Sequence, residues 1–131
     1  MAVRTRFTKD ATIVPEEATA HYSAIIRDEF GAALGAPLLT ALTLTLYDGS
    51  GLSRSIINAI EDINILNAGR GTLDDTGHLV ITLQPSDNII VSIIRKRERH
   101  VMLIEWTYSG CAKIGRHEVE FFVQNLNYVG V

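Results

Sequence analysis

The chain has 131 residues, 47% of them hydrophobic and 21% charged, with a net charge of −3. Such a length and composition suit one domain with its own core and exclude wholesale disorder, and the charge gives no cationic field to attract nucleic acid or an anionic membrane. The first ten residues lack the apolar run of a secretory signal and no stretch approaches the ~18 apolar residues of a membrane span, so synthesis in a cytoplasm is expected.

Residues 1–14 read as an extended N-terminal arm, polar and without sustained period, with Arg4, Arg6 and Lys9 around a lone Phe7. Residues 15–131 read as one β-domain. Its first strand is expected over 18–29, with Tyr22, Ala24 and Ile26 on one face and Ser23, Ile25 and Arg27 on the other. Gly35 and Pro37 break the chain before a second strand over 40–47, where Leu42, Leu44 and Leu46 face in and Thr43, Thr45 and Tyr47 face out. A helix would scatter those leucines around its circumference. Asp48-Gly49 is a turn signal.

Residues 55–58 suit a short strand, and 59–67 read as irregular or partly helical. Asp74-Asp75-Thr76-Gly77 leads into a strand with Leu79, Ile81 and Leu83 inward. Pro85 ends it. A short helix is allowed there, capped by Ser86 or Asp87, with Ile89, Ile90, Val91, Ile93 and Ile94 as its buried side. Residues 95–99 are expected at the surface because of their charge. Residues 100–108 are apolar on both faces, with Met102, Ile104 and Trp106 opposite Val101 and Leu103, which marks a central strand. The last strand is expected over 118–125, with Val119, Phe121 and Val123 inward. Together these runs predict an all-β fold, an immunoglobulin-like antiparallel β-sandwich.

No constellation of residues carries chemistry. His21, His78, His100 and His117 are scattered at predicted strand starts, without metal-ligand spacing, and read as solvated. The single cysteine, Cys111, sits in a Gly-rich turn with no base beside it. Adjacent Asp74 and Asp75 suit a turn, where the carboxylate accepts nearby amides, better than an acid–base pair. Glycines around Arg70 lack the ending of a phosphate loop. The basic run at 95–99 is interrupted by Glu98 and carries no aromatic for base stacking, so a solvated loop or a salt-bridging protein contact is favoured over nucleic acid. A sugar platform of Tyr22, Tyr47, Trp106 and Tyr108 would define a soluble carbohydrate-binding module. Trp106 and Tyr108 share a face with Met102 and Ile104, so core packing accounts for them first.

Several segments carry a family resemblance: Thr19 to Glu29, Leu42 to Asp48, Gly77 to Asp87, Glu105-Trp106-Thr107-Tyr108 and Gly115 to Leu126. In this order they resemble small virion structural proteins of tailed bacteriophages and the N-terminal attachment domain of phage upper-baseplate and fibre proteins. The resemblance spans roughly residues 15–126 and its motifs are structural. It implies a β-sandwich docked on the capsid or head–tail assembly (neck or baseplate) as a decoration, cement or adaptor component. The expected partners are other virion proteins, namely major capsid, portal, neck or tail proteins, with the chain a homo-oligomer or lattice-bound copy located in the virion. The arm and the 95–99 stretch lie outside the pattern. The contact residues assigned are Arg4, Arg6, Phe7, Lys9, Arg95, Lys96 and Arg97, with no catalytic, cofactor or metal residue. Ile25 and Phe122, outward on their strands, are either sealed against a neighbour or covered within the domain.

Overall fold

A computed structural model describes residues 4–7, 12–51, 54–92, 94–110 and 112–126. Among them the chain forms nine strands: β1 (Arg4–Phe7), β2 (Thr12–Pro15), β3 (Thr19–Ile25), β4 (Leu39–Asp48), β5 (Ile63–Asn64), β6 (Gly71–Leu73), β7 (His78–Leu83), β8 (Arg97–Tyr108) and β9 (Lys113–Gln124). They make two sheets, in the orders β1-β3-β7-β6 and β2-β9-β8-β4-β5. All pairs are antiparallel except β1 with β3 and β2 with β9.

The period-two pattern decides which faces meet. Tyr22, Leu79, Ile81 and Leu83 from one sheet share a single apolar core with Leu42, Leu44, Leu46, Met102, Ile104, Val119, Phe121 and Val123 from the other. Each fully buried Leu or Ile contributes about 1.5–3 kcal/mol relative to exposure, which makes these alternating triplets the main driving force for the architecture. The all-β, sandwich-like reading of the sequence stands, and β8 is central, between β9 and β4.

Burial of Val101 and Tyr47 has a different origin. Both lie on the outer face of the larger sheet, yet they are 1% and 6% exposed. The chain after β4 folds back against Tyr47: Ile56 forms a bridge to it, and the Arg54 guanidinium lies 5.2 Å from the centre of its ring.

Several expectations are corrected. The arm proposed for 1–14 ends inside a strand, because β2 pairs with β9 and buries Val14 completely. β1 in turn pairs with β3. The connection 59–67 is irregular, one of the two forms expected, and holds the two-residue β5; it is not helical because Ala59, Asp62 and Asn67 take positive φ, which no helix tolerates. The short helix after Pro85 shrinks to one 3-10 turn, Pro85–Asp87, which Asn88 ends at φ −105° and ψ 50°. Ile90 is partly buried, but Ile89, Val91 and Ile94 are exposed. Ile93, Lys9 and Cys111 lie outside the described residues.

Asp74 behaves as its turn reading requires. Its carboxylate accepts the Thr76 hydroxyl at 2.7 Å and the amides of Thr76 and His78 at 2.9 and 3.0 Å. Those bonds, the Thr76 hydroxyl foremost, hold its pKa below the ordinary value.

Candidate functional site

At one end of the sandwich, loops meet on a bed of buried carboxylates. β4 ends at Asp48, which pairs in register with His100 near the start of β8. Val91, Ser92 and Arg95, from the connection between β7 and β8, bond to the acids here. Glu98 is fully buried and each of its oxygens has two partners. Oε1 accepts the Val91 amide and His100 Nε2, each at 2.7 Å; Oε2 accepts the Ser92 amide at 2.9 Å and Arg95 Nη1 at 3.1 Å. A carboxylate only accepts, so His100 Nε2 carries the proton. Burial alone would push the Glu98 carboxyl up; the hydrogen bonds from His100 and from the Val91 and Ser92 amides outweigh it, and its pKa lies below the ordinary value.

The amides of Val91 and Ser92 are therefore given to Glu98, which is why no helix continues here. Arg95 bridges two acids, donating Nη1 to Asp48 Oδ2 at 2.8 Å as well as to Glu98. Asp48 Oδ1 accepts the Ser50 amide at 2.9 Å, and Arg99 reaches back with Nη1 to the Gly49 carbonyl at 2.6 Å. The 95–99 stretch and the turn after β4 thus form one locus.

A second buried acid holds the other end of the loop. Asp87, fully buried, accepts Arg70 Nε and Nη2 at 2.5 and 2.7 Å, Asn58 Nδ2 at 2.7 Å and the Gln84 amide at 2.8 Å. Hydrogen bonding to Asp87 raises the pKa of Arg70. Asn88, also fully buried, donates to the Ala18 carbonyl at 2.7 Å, and its own carbonyl accepts the Glu17 amide. Asn125 closes the arrangement with bonds to the carbonyls of Arg95 and Lys96.

Fixed from beneath, the loop turns Ile89, Val91 and Ile94 to solvent, Ile94 being 81% exposed. Lys96 and Arg97 are exposed beside it, and Leu126, 62% exposed, follows Asn125. The loop thus exposes apolar and basic side chains while its backbone is hydrogen-bonded to buried groups beneath.

The residues assigned from sequence fall into three groups. Lys96 and Arg97 lie on this surface. Arg95 is half-buried and engaged internally. Arg4, Arg6 and Phe7 fall on β1 at the edge of the smaller sheet, where Arg4 pairs in register with Thr19. Two readings are overturned: Glu98 and His100 are not solvated but fully buried. Tyr22, Tyr47, Trp106 and Tyr108 are all buried, so they form no open sugar platform. Ile25 is 41% exposed, while Phe122 is half-buried in register with Ile13 and Arg99. Among the described residues, no group of three or more His, Cys, Asp or Glu is placed to hold a metal ion. Comparison with protein-family models, with curated proteins and with solved structures finds no match.

Proposed function

We propose that this chain is a non-enzymatic structural component of a tailed-phage virion, docking on capsid or head–tail proteins as a homo-oligomer or lattice-bound copy. The observation that carries the docking role is the 84–96 loop, whose exposed Ile89, Val91 and Ile94 are held in place by two buried carboxylates. Fixing apolar side chains before binding lowers the entropy lost on association, and exposed Ile89, Val91 and Ile94 followed in the chain by exposed Lys96 and Arg97 have the make-up of a protein contact. The virion assignment rests on the resemblance carried by residues 15–126.

The strand orders support an immunoglobulin-like sandwich: β1-β3-β7-β6 takes the places of strands A, B, E and D, and β9-β8-β4-β5 those of G, F, C and C′. The parallel pairing of β1 with β3 is a departure from that pattern.

Mass spectrometry of purified particles tests the assignment. The protein is expected at fixed stoichiometry, with cross-links from Lys96 to a capsid or tail protein. Abundance in infected cells with absence from particles would overturn it and favour a soluble binding module.

A further inference from the structure

β9 is twelve residues long, yet β2 covers only Phe121 to Gln124. Backbone bonding shows which groups face the remaining edge. The Gln124 carbonyl accepts the Glu16 amide on the β2 side, whereas the Asn125 amide goes to Lys96 on the β8 side. Backbone groups alternate along a strand, so the even-numbered residues of β9 aim outward from the sheet edge. Ile114, Arg116 and Glu118 therefore present N–H and C=O groups with no strand beside them among the described residues. The edge of β4, by contrast, is covered by bonds of Leu46 with Ile57 and Ile60, of Asp48 with Ser55 and of Leu42 with Ile65.

Natural proteins blunt or cover such an edge, and a length like this is a template for another strand. Charge selects the occupant and the register. In a symmetric antiparallel pair, even residues must lie opposite even residues for their backbone groups to bond. A two-fold axis at Arg116 sets two arginines against each other, and an axis at Glu118 sets two glutamates. An axis at His117 places Arg116 opposite Glu118 twice, with four backbone hydrogen bonds between these residues. Each Arg116, already 2.7 Å from Glu105 on β8, then lies between two carboxylates.

We infer that two copies of this chain join edge to edge through the open half of β9, antiparallel about a two-fold axis at His117, so that the larger sheet continues from one copy into the next. The inference goes beyond the virion reading and does not depend on it. A dimer outside a virion would still confirm it, and a monomeric virion protein would overturn it alone.

Sedimentation of the purified full chain from micromolar to millimolar concentration is the first test, with a dimer of twice 14.4 kDa expected. Glu118→Arg is expected to raise the dissociation constant about tenfold or more, and Arg116→Glu likewise, each leaving a folded monomer. Mixing the two variants is expected to give a heterodimer, because arginine then meets glutamate at both positions. His117→Cys in a Cys111→Ser background is expected to oxidise to a covalent dimer, since opposed non-bonded positions lie about 4.5 Å apart between Cα atoms. A monomer at every concentration, a dimer unchanged by Glu118→Arg, or no heterodimer on mixing would overturn the inference.

Discussion

Gly115 on β9 lies opposite Trp106 on β8, and a Cβ on Gly115 would overlap the indole ring. The ring occupies the space that any other residue at 115 would need, while Trp106 itself is 8% exposed. Gly115→Ala is expected to cost about 1–3 kcal/mol by overpacking. Urea denaturation followed by Trp106 fluorescence measures it, and a shifted native emission maximum is expected with it.

Glu98 supplies the second prediction. Glu98→Ala leaves His100, two amides and Arg95 without their acceptor and is expected to cost about 3–5 kcal/mol. Since the folded pKa lies below the unfolded one, the stabilisation is complete above the unfolded value and disappears as pH falls through the folded value. Unfolding free energy of the wild type should therefore drop on acidification from about pH 4.5, and Glu98→Gln should flatten part of that drop.

Arg70→Ala strands the buried Asp87 carboxylate without its two-toothed partner. An expected loss of about 2–3 kcal/mol takes account of the outer position of Arg70, whose side chain is 18% exposed. Arg70→Lys should recover only part of it, because an ammonium cannot donate both parallel bonds. Thermal melts of the three proteins check the order.

Ile94→Asp addresses docking without touching the fold. At 81% exposure the side chain contributes little to stability, and a change within about 0.5 kcal/mol is expected. Incorporation into particles, measured by mass spectrometry against the wild type, should fall.

The alternation read from sequence was sufficient for the core. Leu42, Leu44 and Leu46, Leu79, Ile81 and Leu83, and Val119, Phe121 and Val123 all face inward because strand period and burial period coincide. Charge and a strand-end position read as solvent exposure, which hides the burial of Glu98 and His100. The missing signal was the same alternation, since 98 and 100 continue the inward series of Met102, Ile104 and Trp106. Asp87 gave no such sign. Its partners Arg70 and Asn58 come from another loop, a tertiary coincidence that no local pattern encodes. The exposure of Ile94 was hidden likewise, because a run of isoleucines reads as core until the amides beside it are found bonded to a buried acid.

The pairing of β2 with β9 sets a condition on how the chain acquires its shape. Thr12 aligns with Phe121, so the first strand of the larger sheet meets its partner about a hundred residues later. Contacts this distant make the search slow, on the millisecond-to-second scale typical of sandwiches. On a ribosome adding ~5–20 residues per second, several seconds separate the emergence of β2 from that of β9. During that interval β2 lacks the strand it pairs with, so this edge of the larger sheet closes only once β9 has emerged.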